Sequence, residues 1–381
     1  MGRLLCVVAT AIGLACLAAP AAGAPGPLPG WPIDAPSGTA HVGPGRGVVV
    51  VSRDGFDFAV AAYRPDGRRL WRSRRRASCG NCDEGPQPER LQPDGTYGPI
   101  GPEGDDIWAV DQGGRIVPGC SGAVSADGTC VFGGSLSSSG TNATPFVTAR
   151  RGGSFLWTVT DAGFSWLDEF NVPPVVARDA AGLAYAAFER PVEVATRTEL
   201  PGRLIAVDPR APAIVWGRTG PRTVLTALGS GVLTIDGGRL AAVRADGSVR
   251  WTRPVPAGQL VDASTVAYDA RRDRVYVGRL RGAPGVTALD AATGTQLWRT
   301  STRDRARLLS AGARGPVYVA VDSPGATAIR AIRLTGATKW QRGTGRLVLG
   351  AAELANGTVA VSAGSGPFNS AGGLLTVLDP R

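Results

Sequence analysis

One short polar stretch carries the residues best suited to hold a metal ion. Asp168, Glu169 and Asn171 stand close together in FSWLDEFNVPP, just after Trp166. Carboxylate and amide oxygens are the ligands that Ca²⁺ prefers. The stretch lacks the spacing of an EF-hand loop, so we interpret it as a polar loop rim and keep these three residues as candidate metal ligands. The Asp-Asp pair in GPEGDDIW offers the same chemistry with fewer ligands.

Hydrolytic chemistry has few of its usual residues in this chain. His41 is the only histidine, and neither His-Glu-x-x-His nor Gly-x-Ser-x-Gly occurs. Any Ser/His/Asp triad would therefore have to use His41. We interpret His41 as a strand or surface residue of the first repeat and predict no catalytic residue.

The beginning of the chain has the pattern of an export signal. Arg3 is followed by an apolar run from Leu4 to Ala19 and then by the small-residue stretch APAAGAP. This order predicts a signal peptide over residues 1–24. The run is shorter than the roughly 20 residues that cross a bilayer, and no later stretch is long and apolar enough. We expect residues 25–381 to form one domain without a membrane span, secreted or held in the cell envelope.

Export also decides how the cysteines are interpreted. Cys79, Cys82, Cys120 and Cys130 remain after the leader, and disulfides are the usual state outside the cytoplasm. The Cys79-Gly-Asn-Cys82 spacing would also suit a redox pair or half a zinc site, but the other two cysteines are not spaced as a second half. We expect all four to be disulfide-bonded. Three connectivities stay open, and Cys79–Cys82 with Cys120–Cys130 is the simplest.

The chain is basic almost entirely through arginine. The formal net charge is +10, and Lys339 is the only lysine among 41 basic residues. Such a balance favours anionic partners such as wall polymers, lipid headgroups or nucleic acid. Most arginines are scattered, and we interpret the one dense run, RSRRR from residue 72 to 76, as a solvated loop. No nucleic-acid motif accompanies it, so we expect no nucleic-acid partner.

An internal repeat supplies the elements that would position any site. VTALDAATGTQLW, from Val286 to Trp298, predicts a short strand, a turn and a second strand that bears tryptophan. Five other copies end at Trp71, Trp157, Trp216, Trp251 and Trp340, and a weakened copy has Val117-Pro118 in place of tryptophan. Glycine stands four residues before tryptophan in most copies, because the turn needs a positive φ there.

The two ends of the chain each carry half of a repeat. The last residues, LTVLDPR, match LIAVDPR at 204–210, and no turn or tryptophan strand follows them. Trp31 matches the tryptophan of the second strand of a repeat, but no first strand precedes it. We therefore predict that Trp31 and the strand from Leu374 to Asp379 share one blade. Counting both halves as one gives eight repeats of about 45 residues, the length of a four-stranded propeller blade.

The repeat ALDAATGTQLW resembles the tryptophan-docking motif of the pyrroloquinoline quinone-like, or quinoprotein-type, propellers. The resemblance implies an all-β, eight-bladed β-propeller in which tryptophans hold neighbouring blades together. The residues matching that role are Trp31, Trp71, Trp157, Trp216, Trp251, Trp298 and Trp340. Dehydrogenases of that family bind their quinone with Ca²⁺ over the central funnel, but no motif of this chain matches their cofactor ligands.

These observations favour an exported, non-catalytic binding or interaction scaffold of the cell envelope or exterior. Two alternatives stay open: a quinone- and Ca²⁺-dependent oxidoreductase, and a propeller that binds or cleaves carbohydrate. We expect no cofactor, with Ca²⁺ as the alternative and the quinone disfavoured. We also expect a monomer with a protein or an envelope polymer as partner. Residues 73–104 and 158–203 are the candidate functional surfaces, because function on propellers tends to lie on loops.

Overall fold

The structure is a computed structural model of the chain. It describes residues 24–35, 38–43, 47–54, 57–76, 90–92, 94–100, 108–120, 122–137, 143–161, 175–188, 202–220, 223–236, 238–255, 265–279, 285–301, 305–312, 314–323, 326–364 and 373–380. The leader predicted at residues 1–24 lies almost entirely outside these residues. Within the described part of the chain, no helix has the length and apolar character needed to cross a membrane.

The described residues form β-strands joined by turns and short connections. The first sixteen strands are β1 (Ile33–Ala35), β2 (Gly38–Val42), β3 (Val48–Asp54), β4 (Asp57–Tyr63), β5 (Arg69–Arg76), β6 (Arg90–Leu91), β7 (Tyr97–Ile100), β8 (Trp108–Val110), β9 (Ile116–Pro118), β10 (Ala123–Val124), β11 (Thr129–Ser137), β12 (Ala143–Arg151), β13 (Ser154–Thr160), β14 (Val175–Arg178), β15 (Ala184–Phe188) and β16 (Gly202–Asp208). The other sixteen are β17 (Ala213–Gly220), β18 (Thr223–Leu228), β19 (Gly231–Asp236), β20 (Arg239–Val243), β21 (Val249–Pro254), β22 (Val266–Asp269), β23 (Arg274–Arg279), β24 (Gly285–Asp290), β25 (Gln296–Ser301), β26 (Arg305–Ala311), β27 (Val317–Ser323), β28 (Ala326–Ile332), β29 (Thr338–Gly343), β30 (Leu347–Glu353), β31 (Val359–Gly364) and β32 (Gly373–Leu378).

The strands build eight four-stranded antiparallel sheets, which are the blades of a β-propeller, and the predicted fold class is confirmed. Blade 1 is β2–β5, and each later blade takes the next four strands, up to blade 7 with β26–β29. Apart from those of blades 2 and 3, the first strands of neighbouring blades lie against each other around the centre, and β2 of blade 1 contacts β30 of blade 8. The fourth strand of each blade is therefore at the outer rim.

Blade 8 is completed by the beginning of the chain, as predicted. Its strand order is β1-β32-β31-β30, so β1 supplies the outer strand beside the C-terminal strand. Ile33 pairs with Leu375, and the Leu28 amide donates to the carbonyl of Val377 at 2.9 Å. This pairing closes the ring and leaves neither terminal half-repeat with an unpaired inner edge.

The position of a strand in its blade explains its pattern of burial. Second strands pack on both faces, and Val48, Val49, Val50 and Val51 of β3 are all buried. Outer strands alternate, as in β17, where every second residue is exposed. One face of an outer strand packs against the next blade and the other meets solvent, so the side-chain period of two separates buried from exposed residues.

Two loop predictions were wrong. The arginine run at 72–76 is not a loop, because it forms most of the outer strand β5. The candidate functional surface at residues 73–104 is not a loop throughout, because it contains the end of β5 and the first two strands of blade 2. Charge concealed the end of β5, whereas β6 and β7 were concealed because they are short and lack an apolar run.

Candidate functional site

The docking tryptophans are fixed by contacts between successive blades. The indole Nε1 of Trp31 donates to the carbonyl of Pro65 at 2.9 Å, in the turn between the third and fourth strands of blade 1. Trp71 donates to Gln112 in the corresponding turn of blade 2 at 3.1 Å. The same bond recurs from Trp216 to Ala245 at 2.7 Å and from Trp251 to Ala291 at 2.9 Å. Each of these indoles thus reaches one blade forward around the ring.

The turn glycines make room for these indoles. A Cβ atom on Gly114 would lie 2.7 Å from Trp71 Cδ2, and one on Gly247 would lie 2.9 Å from Trp216 Cδ2. Both glycines have positive φ, which agrees with the conformational reason inferred from the sequence. The structure adds a second reason, since only a residue without a side chain lets the indole of the preceding blade reach the turn.

A further docking contact was missed in the sequence. The residue two positions after tryptophan donates to the carbonyl of the same turn glycine, as from Ser73 to Gly114. Arg218 and Arg253 make the equivalent bonds to Gly247 and Gly294, each at 2.6 Å. In the blades that make this bond the position holds serine, threonine or arginine, so no single residue type marks it in the repeat.

Blade 2, whose outer strand lacks tryptophan, departs from this pattern. In the six blades whose outer strand ends a complete repeat with tryptophan, a β-bulge lies just before the tryptophan. In blade 2, β8 and β9 pair without a bulge, and Val117 stands opposite Ala109. A Cβ on Gly153, the turn glycine of blade 3, would meet nothing within 4 Å. Among the described residues, every neighbouring pair of blades shares a buried hydrophobic cluster except blades 2 and 3.

No indole of the described residues docks on the face of blade 3 that meets blade 2, and different contacts lie there. Cys120, which follows the outer strand of blade 2, is joined to Cys130 of β11 by a disulfide. The guanidinium of Arg150 lies 3.9 Å from the ring centre of Phe155 and 5.0 Å from that of Phe132. Cys79 and Cys82 lie outside the described residues.

Polar residues of the inner strands are engaged in structural bonds. Arg307 of β26 donates to the carbonyls of Leu349, at 3.2 Å, and Val348 in β30, which links the inner strands of blades 7 and 8. Burial lowers the pKa of this guanidinium. His41 of β2 lies 3.0 Å, Nε2 to Oγ1, from Thr39, and burial lowers the pKa of its imidazole to about 4. The ring is therefore neutral at neutral pH.

The candidate metal ligands Asp168, Glu169 and Asn171 lie outside the described residues. Within the described ranges, no group of three His, Cys, Asp or Glu side chains is arranged to hold a metal ion. The Asp168 segment lies between β13 and β14 in the chain. β13 ends, and β14 begins, at the end of the blades opposite the turns between third and fourth strands.

The outer rim differs from blade to blade more than the seams do. The residue before tryptophan is apolar and exposed in four blades, at Leu70, Leu156, Val215 and Leu297. In blade 3 this residue adjoins Phe155, whose side chain is 64% exposed. In blade 1 the exposed residues of the outer strand are instead mostly arginine. The rim therefore presents an apolar patch and a basic row on different blades.

Comparisons with known proteins agree with the predicted resemblance to quinoprotein-type repeat propellers. A family model described as outer membrane protein assembly factor BamB matches residues 282–381. This region spans most of blades 6 to 8 apart from the outer strand given by the N-terminal segment. No curated protein sequence matches the chain.

Among solved structures, the fold is similar to that of quinohemoprotein alcohol dehydrogenase from Comamonas testosteroni, with a TM-score of 0.58 and 11% identity over 92% of this chain and 76% of that one. It is also similar to a europium-containing methanol dehydrogenase, with a TM-score of 0.57 and 12% identity over 91% of this chain and 92% of that one. A computationally designed protein, Ika8, has a TM-score of 0.53 and 12% identity over 90% of this chain and 96% of its own. At these identities the likeness is one of fold.

Proposed function

We propose that this protein is an exported β-propeller scaffold that binds a protein or a polymer of the cell envelope and does not catalyse a reaction. One observation carries the proposal: the residues that recur around the ring are used in packing blade on blade. The residues of the outer rim differ most between blades, and they include exposed apolar and basic side chains. A rigid ring with a varied rim suits binding, because exposed apolar groups contribute to stability only when a partner covers them.

The family match supports the same role. The model that matches residues 282–381 is named after an assembly factor of the outer membrane, which is an interaction role in the envelope. The Cys120–Cys130 disulfide is compatible with an oxidising compartment outside the cytoplasm. The likeness to dehydrogenases at 11% and 12% identity supports the fold and gives the oxidoreductase alternative no added weight.

Site-directed photo-cross-linking in cells of the source organism tests the proposal. A photoreactive residue at Phe155, on the apolar rim of blade 3, is expected to give a discrete adduct in the envelope fraction. The matched control places the same residue at Thr252, an exposed position on the outer strand of blade 5. An adduct at Phe155 alone would support a specific binding surface. Identical patterns at both positions, or no adduct at any rim position, would contradict the proposed role.

A further inference from the structure

The outer strand of blade 1 carries an unusual concentration of positive charge. Five of the eight residues of β5, Arg69–Arg76, are arginine and none is acidic. Burial alternates along the strand, and Arg72, Arg74 and Arg76 are exposed. Alternate residues of a strand point to the same side, with successive members of the row about 7 Å apart. We call Arg72, Arg74 and Arg76 the arginine row.

Contacts with blade 2 hold β5 in place from the other side. Trp71 and Ser73, which alternate with the arginine row, donate to the carbonyls of Gln112 and Gly114. In the register with β4, Ala61 stands opposite Arg72, Ala59 opposite Arg74 and Asp57 opposite Arg76. The row thus stands on a fixed strand, with alanine opposite two of its three members. Fixed spacing lowers the entropy that arginines lose when they bind a ligand together.

The repeat itself provides the comparison that makes the row significant. At the position after tryptophan, the row has Arg72, whereas blades 3 to 7 have Thr158, Gly217, Thr252, Arg299 and Gln341. Two residues further, the row has Arg74, and none of those five blades has a charged residue.

Charged residues on an edge strand often prevent sheets from pairing edge to edge. That explanation does not account for the row, because β13 is an equally exposed outer strand with no charged residue. Protection of the edge is therefore not a general requirement in this ring, and the concentration of arginine is particular to blade 1.

We propose that the arginine row binds an extended phosphodiester polymer of the cell envelope along β5. This inference rests on the proposed function and names the chemistry of one partner. Guanidinium groups bind phosphate through two parallel hydrogen bonds, and a phosphodiester keeps its charge at every pH the protein would meet. A repeating anion matches a row of evenly spaced cations, and the net charge of +10 attracts such a chain from a distance.

Nucleic acid fits the row less well than a polymer without bases. Proteins that bind single-stranded nucleic acid combine basic residues with aromatic side chains on which bases stack. The one aromatic residue of β5, Trp71, is docked on blade 2 and lies on the other side of the strand from the row. The row itself consists only of arginine.

Fluorescence anisotropy with labelled poly(glycerol phosphate) as the probe tests the proposal. The row variant is Arg72→Thr with Arg74→Thr and Arg76→Thr. The first two changes take the residue type of the matching positions in blade 3, Thr158 and Thr160. The control variant, Arg244→Thr with Arg299→Thr and Arg333→Thr, removes the same charge from exposed positions of blades 5, 6 and 7. Surface changes of this kind leave the fold intact, which circular dichroism and thermal melting verify.

The row variant is expected to bind on the order of tenfold or more weakly, and the control variant less than about threefold. The slope of log affinity against log salt should fall by about 2 in the row variant, because three phosphate contacts are lost. No binding by the native protein at low salt would overturn the proposal, as would equal losses in both variants. Equal or tighter binding of single-stranded DNA or polyglutamate at matched charge would also overturn it.

A sedimentation assay with isolated envelopes separates this inference from the proposed function. Native-like co-sedimentation of the row variant would exclude the row as the site and leave the interaction role standing. Loss of co-sedimentation only in the row variant supports both. If the native protein does not co-sediment either, both fail.

Discussion

The turn glycine Gly294 of blade 6 lies against the indole of Trp251 from blade 5, so closely that a Cβ atom on Gly294 would stand 2.6 Å from Trp251 Cδ2. The two residues come from different blades and are linked further by the bond from Trp251 to the carbonyl of Ala291. Gly114, Gly247, Gly294 and Gly336 therefore each make room for the tryptophan of the repeat before them. The repeat motif describes a contact between neighbours as much as a hairpin.

We expect Gly294→Ala to lower the free energy of unfolding by about 3 kcal/mol, because a positive φ and displacement of the indole both add cost. The matched control is Gly153→Ala in blade 3, which has the same repeat position and a φ of 85° but nothing within 4 Å of its Cβ. It should cost only about 1 to 2 kcal/mol. Urea unfolding measures both, and equal losses would show that the indole contact adds nothing.

Trp298→Ala should destabilise the protein by about 3 to 5 kcal/mol, as large-to-small changes in a packed core do. Trp298 is buried in the cluster that joins blades 6 and 7. The neighbouring Leu297 is 42% exposed, so Leu297→Ala should change stability by less than about 0.5 kcal/mol. Thermal unfolding compares the two variants. An unchanged melting temperature for Trp298→Ala would mean that blade contacts do not depend on this indole.

The sequence was sufficient for the parts of the fold that repeat. The spacing of Trp298 from Gly294 predicted the repeating blade. The incomplete repeats at Trp31 and Leu375 predicted that the two ends of the chain share one blade. Residues that differ between blades were not predictable in the same way. Ser73 and Arg218 make the same docking bond with different chemistry.

The arginine row was misinterpreted as a loop because charge conceals the apolar alternation by which strands are recognised. The strand is recognisable only by aligning Trp71 with the other repeats. The loss of tryptophan in blade 2 was visible in the sequence. Its consequence could be seen only in the structure: among the described residues, blades 2 and 3 share no buried hydrophobic cluster.

Cys79, Cys82, Cys120 and Cys130 are all expected to be disulfide-bonded. Thiol titration of the denatured, unreduced protein should detect no free sulfhydryl. Replacing Cys120 and Cys130 together by serine should cost about 2 to 3 kcal/mol, because the disulfide closes a loop of ten residues in the unfolded chain. Two or more free thiols, or stoichiometric zinc, would contradict this expectation.

Acid should weaken the fold in part through His41. Burial lowers the pKa of this imidazole to about 4 in the folded protein, against about 6.5 when unfolded. The unfolded chain thus binds the additional proton first, so the contribution is full above about pH 6.5 and is lost as the pH falls towards 4. We expect a loss of about 1 to 3 kcal/mol over that range.

The variant His41→Asn should lose correspondingly less stability between about pH 7 and about pH 4.5, while carboxylates titrate alike in both proteins. Since His41 is the only histidine, its ring protons give a single set of NMR signals. A titration midpoint near 6.5 in the folded protein would refute the assignment.

The purified protein should neither bind pyrroloquinoline quinone tightly nor oxidise alcohols or sugars when quinone and Ca²⁺ are added. Catalysis needs a base and an electrophile within reach of one substrate, whereas the recurrent residues of this ring lie between blades, where Trp251 contacts Gly294.

The strongest challenge to this expectation comes from Asp168, Glu169 and Asn171, so the decisive comparison is between the native protein and Asp168→Ala. Dye reduction across alcohols and aldoses, with calorimetry for quinone binding, measures both. Turnover in the native protein that disappears in Asp168→Ala would establish the oxidoreductase alternative and give these three residues a role in holding Ca²⁺. Absence of turnover together with absence of quinone binding leaves the carboxylates as a polar rim and favours a partner at the outer strands.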